Sequence, residues 1–102
     1  MKKKTGVQLI TAERKRQVTE KGYTPEHDAE HSRGELARAA VAYAIPNRSA
    51  DEAVRFWPAG WPKTPVVNHN VHNPRGREKR IRELAKAGAL IAAEIDRLNN
   101  VE

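Results

Sequence analysis

The chain has 102 residues, a length that suits one small domain. Its formal net charge is +6 and its pI is near 10.0. Alanine accounts for 15 of its apolar residues, so we expect a thin core that self-association would complement. The chain has no cysteine, which excludes disulfides and thiolate metal sites. No apolar run is long enough for a signal peptide or a membrane span, so we expect a cytoplasmic protein that does not enter membranes.

The amino-terminal half predicts helices. Residues 1–7, with three consecutive lysines, are expected to form a flexible basic tail. A helix is predicted over about 11–21, with a threonine as N-cap and a glycine after its last turn. Residues 24–31 begin with Thr-Pro-Glu, which is typical of a cap followed by proline in the first helical position. A firmer helix is predicted over 35–44, with an apolar side formed by Leu36, Ala39, Ala40 and Tyr43, and Pro46 ends it.

The carboxy-terminal half combines an irregular segment with the clearest helix. Residues 46–76 are rich in proline, asparagine and tryptophan, and a capping box at Ser49–Glu52 predicts one short helix within them. An a/d stripe then predicts a long helix, widened by alanines that let another backbone approach. The stripe residues are Ile81, Leu84, Gly88, Ile91, Ile95 and Leu98. The predicted fold is all-α: a single domain over 1–102, a small bundle of three main helices with a long Trp/Pro-rich irregular segment before the last.

Two histidines share one helical face in the stretch from Tyr23 to His31. His27 and His31 are four residues apart, and Glu35 follows four further on. Three interpretations remain open. The two imidazoles and the carboxylate would hold a divalent ion, or Asp28 would close a structural hydrogen-bond network with a histidine, or the polar groups would recognise a ligand edge.

The aromatic loop and the glycine of the last helix also carry alternatives. Trp57 and Trp61 either plug an open end of the bundle or form a stacking platform for a base. Gly88 within a helix costs about 1 kcal/mol relative to alanine. Either close helix–helix contact offsets that cost, or a ligand phosphate passes over Gly88 beside Lys86.

Features of catalysis are sparse. Neither serine stands in a nucleophile-elbow sequence, and no glycine-rich phosphate loop is present. The carboxylates Glu26, Glu30, Glu35 and Glu94 have the wrong spacing for the magnesium site of an all-helical pyrophosphohydrolase. We therefore predict a protein that is not an enzyme.

Much of the chain, apart from the first few residues and 63–77, resembles a family of small proteins encoded by tailed phages and prophages. The motifs that carry the resemblance are Glu13–Gln17, Gly22–Asp28 with His31, Gly34–Leu36, Ala39-Ala40, Tyr43-Ala44, Trp57-Pro58, Lys86–Ile91, Glu94-Ile95 and Arg97-Leu98. Tyr23 stands where the family pattern has tryptophan. A sparser similarity, in Glu13-Arg14, Gly22–Thr24, Asp28 and His31, is to the repeat domain of ryanodine receptors. These resemblances imply a phage setting and a helical ligand-binding module.

The predicted function is that of a non-catalytic phage accessory protein. It would bind an anionic, nucleotide-like small molecule and sequester a host defence signal, as a homo-oligomer in the cytoplasm of an infected or lysogenic bacterium. No cofactor and no metal ion is predicted. The predicted ligand-binding residues are Arg16, Tyr23, His27, Asp28, His31, Trp57, Trp61 and Lys86.

Two alternatives use other surfaces. A run of cations would bind nucleic acid, although such a run is also typical of a solvated helix face. Its residues are Arg75, Arg77, Lys79, Arg80 and Arg82. The other alternative is an inhibitor that covers a surface of a host protein.

Overall fold

Four helices account for most of the chain that the computed structural model describes, which is residues 3–45, 55–61 and 71–101. They are α1 (Gly6–Glu20), α2 (Pro25–Ala29), α3 (Glu35–Ala44) and α4 (Pro74–Asn99). No strand occurs in these described residues. The predicted all-α fold with three main helices is confirmed.

Helix α1 begins earlier than predicted. The Thr5 hydroxyl accepts a hydrogen bond from the backbone N–H of Gln8, and the Gln8 side chain accepts one from the N–H of Thr5 at 2.8 Å. This reciprocal capping box satisfies two backbone donors and starts the helix at Gly6. Thr11 is therefore inside the helix, where its hydroxyl donates to the carbonyl of Val7.

Helix α3 follows its predicted boundaries, whereas α2 ends at Ala29, so His31 lies outside the helix that was predicted to include it. The Thr24 hydroxyl accepts from the backbone N–H of His27, with Pro25 in the first helical position. Helix α3 then buries Leu36, Ala39 and Ala40 on the predicted apolar side.

Helix α4 has 26 residues and starts before the predicted stripe. The Asn73 side chain accepts from the N–H groups of Arg75 and Gly76, and Pro74 occupies the first helical position. This cap ends the predicted irregular segment at Asn73. The capping box at Ser49–Glu52 lies outside the described residues.

Helices α1 and α3 both pack on α4, and small side chains make the contacts. Seven of the nine buried apolar residues in the described ranges are alanine, and the other two are Leu36 and Leu90. The core formed by the described residues is thin, as expected. The molecule is flat, with extents of 45 × 37 × 19 Å.

The large residues of the α4 stripe are not part of this core. Five of them are between 42% and 56% exposed, and they are Ile81, Leu84, Ile91, Ile95 and Leu98. The alanines of α4 turn toward its neighbours instead, because small side chains let two helices approach it closely. No helix among the described residues is long and apolar enough to cross a membrane.

Gly88 lies beneath a side chain of α1. A Cβ added at this position would be 2.5 Å from Cδ1 of Ile10 and 2.7 Å from its Cγ1. Close contact between two helices of one chain therefore accounts for the glycine, as one of the two interpretations predicted.

Candidate ligand-binding cleft

A tight turn after α1 places the first ring of the cleft. Gly22 has a φ of 73°, which its missing Cβ permits, and the N–H of Tyr23 donates to the carbonyl of Gln17 at 2.9 Å. The chain then enters α2, and the Tyr23 ring stacks on the His27 imidazole with centroids 4.9 Å apart.

Six rings form a continuous series of contacts across α2, the aromatic loop and α3. From His27 the series continues to His31 at 4.8 Å and then to Trp61 at 5.1 Å between ring centroids. Trp61 contacts Trp57 at 5.5 Å, and Trp57 contacts Tyr43 of α3 at 5.7 Å. These four contacts are edge-on, the geometry that the aromatic quadrupole favours beside offset stacking.

The loop that carries the indoles is closed by a short turn. The N–H of Trp61 donates to the carbonyl of Pro58, and Gly60 between them has a φ of 84°. A residue with a Cβ would be strained there, so the glycine permits the two indoles to meet. Both indoles are half-buried and pack against the core around Leu36 and Leu90.

These rings line a cleft of about 560 Å³, which is within the size range of small-molecule sites. Seven of the eight predicted ligand-binding residues line it: Arg16, Tyr23, His27, His31, Trp57, Trp61 and Lys86. The tryptophans thus contribute to the core and to the cleft. The cleft brings together side chains from α1, α2, α3, α4 and the aromatic loop.

Asp28, the eighth predicted residue, lies behind the cleft. Its side chain is 3% exposed and accepts a hydrogen bond from the Arg14 guanidinium at 3.0 Å. Arg14 also donates to the carbonyl of Tyr23, and Nδ1 of His27 lies 3.1 Å from Asp28 Oδ1. The Asp28 carboxylate thus holds the Nδ1 edge of the His27 ring, and Nε2 lies on the other side of that ring. Asp28 therefore orients a ring of the cleft, as the structural interpretation proposed.

The second histidine connects this network to α3. Nε2 of His31 lies 3.5 Å from Nε2 of His27, and its Nδ1 lies 3.5 Å from a carboxylate oxygen of Glu35. Desolvation acts to raise the pKa of Glu35, but hydrogen bonds from the backbone N–H groups of Glu35 and Arg33, together with His31, outweigh it and hold that pKa below its ordinary value. No three His, Asp or Glu side chains in the described ranges converge as a metal site would require.

Cations stand on the rim of the cleft. Arg16 forms two hydrogen bonds with the Glu13 carboxylate, at 2.9 and 2.6 Å, and this pairing raises the pKa of the guanidinium above its ordinary value. The ammonium of Lys86 lies 5.8 Å from the centroid of the Tyr43 ring, within cation–π distance. Lys21 adds a third cation, and Glu13 is the one carboxylate among the described residues of the lining.

Several residues of the cleft were absent from the predicted site. Tyr43 was assigned only to the apolar side of α3, and Gln17 was noted only as part of the Glu13–Gln17 motif. Gln17 is almost completely buried in the lining, and no described residue donates to its Oε1; Nε1 of Trp57 likewise has no acceptor among the described residues. Periodicity on α1 could have shown that Glu13, Gln17 and Lys21 share one side, but not that this side closes a cleft.

The basic run of α4 divides into two parts. Arg75, Arg77, Lys79 and Arg82 are exposed. Arg80 is half-buried, and its guanidinium donates to the carbonyls of Tyr43 and Ala44 at the carboxyl end of α3. That side chain caps α3, where a cation also complements the helix dipole.

No family model, curated protein or solved structure matches this chain. The resemblances to phage proteins and to ryanodine-receptor repeats therefore stay predictions.

Proposed function

We propose that this protein binds a nucleotide-like small molecule in the aromatic cleft and does not transform it. The observation that carries this proposal is the series of six contacting rings that lines one cleft beside three cations. A flat heterocycle and an anionic group are the two chemical features that such a surface complements. Among the described residues of this lining, none is a nucleophile activated by a neighbouring base.

The rings supply the affinity for the heterocycle. A base stacked on an aromatic face gains about 1–3 kcal/mol. Trp61 and Trp57 are held edge-to-face at an interplanar angle of 88°, so a ligand that stacks on one indole meets the edge of the other. Because the rings support one another, they lose little conformational freedom when the ligand binds.

Two polar atoms suggest how a base edge is recognised. Oε1 of Gln17 is an acceptor and Nε1 of Trp57 is a donor, and both are buried without a described partner. Buried polar atoms are normally paired, so an occupant that offers a donor and an acceptor would relieve both costs. The amide-like edge of a purine or a pyrimidine has both groups.

The cations account for the anionic part of the ligand. Lys86 provides a compact charge for a phosphate, and Arg16 is held in place by Glu13. In the phage setting that the resemblance implies, such a protein would sequester a host defence signal by binding it in an unaltered form.

Isothermal titration against nucleosides, linear and cyclic nucleotides and ADP-ribose-type compounds tests the proposal. We expect one ligand per cleft, quenching of tryptophan fluorescence, and recovery of the ligand unchanged. Lys86→Gln should weaken binding of the phosphorylated ligand about tenfold but leave its nucleoside unaffected. Lys79→Gln, an exposed change on the same helix, should have no effect. Failure of every compound to bind, or turnover of the bound one, would refute the proposal.

The exposed cations of α4 support a second candidate. Arg75, Arg77, Lys79 and Arg82 lie within about two helical turns, a density that favours phosphate backbones. If this surface binds nucleic acid, affinity for a duplex or RNA should fall steeply with salt and with charge-removing changes at these positions. Lack of binding at low salt would remove this candidate.

A further inference from the structure

We infer that α4 forms an antiparallel homodimer through its exposed apolar stripe. Ile81, Leu84, Ile91, Ile95 and Leu98 are each about half exposed in one chain, although together they are the largest apolar surface of the longest helix. They recur at steps that keep them on one side of a helix for about 25 Å at 1.5 Å per residue. Scattered exposed apolar residues are ordinary, but a continuous stripe marks an interaction surface.

The pattern of the stripe identifies a second copy as its occupant. An a/d repeat with steps of three and four is the pattern by which one helix packs against another of the same kind. The buried apolar residues of the described chain are alanines and two leucines, so a second copy would supply the large side chains that the core lacks.

The distribution of charge selects the antiparallel arrangement. Residues 74–86 of α4 contain six cations and two carboxylates, whereas residues 87–99 contain two carboxylates and one cation. Parallel helices would place the two basic halves side by side. Antiparallel helices place each basic half beside the more acidic half of the other copy and also oppose the helix dipoles.

The repeat is symmetric about its centre, so the antiparallel register can be stated. Leu84 would face Ile95 of the second copy, and Ile81 would face Leu98. Gly88 lies beneath Ile10 of its own chain and is not part of the interface. No ionisable side chain interrupts the stripe between Ile81 and Leu98.

This interface is separate from the proposed ligand site. Lys86 and Leu90, which line the cleft, lie on a different side of α4 from the stripe at 100° per residue. The dimer can therefore be refuted without refuting the ligand site, and the ligand site can be refuted without refuting the dimer.

Sedimentation equilibrium of the full chain, from micromolar to millimolar concentration, tests the inference. The wild-type protein should reach twice its mass of 11.5 kDa. Leu84→Glu and Ile95→Lys should each remain at the monomer mass across the series. The double variant should regain the dimer, because the register brings the new glutamate of one copy to the new lysine of the other, and added salt should weaken it.

Lys15→Glu is the matched control, since it introduces the same residue at an exposed position of α1, away from α4, and should leave the dimer intact. Far-ultraviolet circular dichroism should show that each variant keeps its helices. A wild-type chain that stays monomeric throughout, or single variants that still dimerise, would overturn the interface. If the double variant is monomeric like the two single variants, the antiparallel register is wrong.

Discussion

Substituting Gly88 by alanine measures the contact between α1 and α4. An added Cβ would lie 2.5 Å from Cδ1, 2.7 Å from Cγ1 and 3.3 Å from Cγ2 of Ile10, so the isoleucine has to move. Its χ1 angle is stiff because the side chain is branched at Cβ. Overpacking of this kind costs about 1–3 kcal/mol, while alanine gains about 1 kcal/mol over glycine in helix propensity. We expect Gly88→Ala to lower the free energy of unfolding by up to about 2 kcal/mol.

The same substitution should change sign when the obstacle is removed. In an Ile10→Ala background the Cγ and Cδ atoms are absent, so Gly88→Ala should stabilise the chain by about 1 kcal/mol. The double-mutant cycle then gives a coupling energy of about 1–3 kcal/mol.

Urea unfolding followed by circular dichroism, at one protein concentration for all variants, measures these free energies. Gly6→Ala is the control, because a Cβ at that helical glycine meets nothing within 4 Å. A coupling energy near zero would mean that Ile10 does not pack over Gly88 and would refute the helix contact as the reason for the glycine.

Three further predictions concern charged groups. Asp28→Ala should lower the free energy of unfolding by about 3 kcal/mol, because the partly buried guanidinium of Arg14 loses its ion pair. Asp96 lies beside the same arginine but is 63% exposed, so Asp96→Ala should cost under about 1 kcal/mol. Urea unfolding measures both values. Arg80→Ala should cost about 1–3 kcal/mol because two carbonyls lose their donor, and equal losses for exposed Arg82→Ala would contradict that role. Since folding lowers the pKa of Glu35, ionised Glu35 stabilises the folded chain above the ordinary pKa of 4.5, and this stabilisation is lost as the pH falls toward the folded pKa. In Glu35→Gln, the urea midpoint should therefore fall less steeply as the pH is lowered.

Part of the cleft was predictable because its residues are neighbours in the chain. Tyr23, His27 and His31 are spaced four residues apart, and their rings contact in that order, while the threonine–proline start of α2 is a local signal that fixes where the helix begins. Trp57 and Trp61 were identified because large aromatics in a proline-rich loop need a surface to pack on.

The position of Asp28 was not predictable in the same way. Its role depends on Arg14, which is fourteen residues away on another helix, and no local pattern records which arginine reaches a given carboxylate. The start of α1 was missed for a different reason. The Thr5–Gln8 capping box was readable in the chain, but a lysine-rich start drew the interpretation toward a flexible tail.

The sequence by itself determined that the chain is helical, that the last helix has a continuous apolar stripe, and that aromatic, imidazole and cationic groups accompany one another. Periodicity carries this information because it depends only on the geometry of a single helix. The tertiary structure alone decided that the alanines of α4 are buried while the large residues of its stripe stay about half exposed, and that Asp28 lies behind the cleft. Those outcomes depend on which surfaces meet, and small side chains permit the closest approach of helices that are distant along the chain.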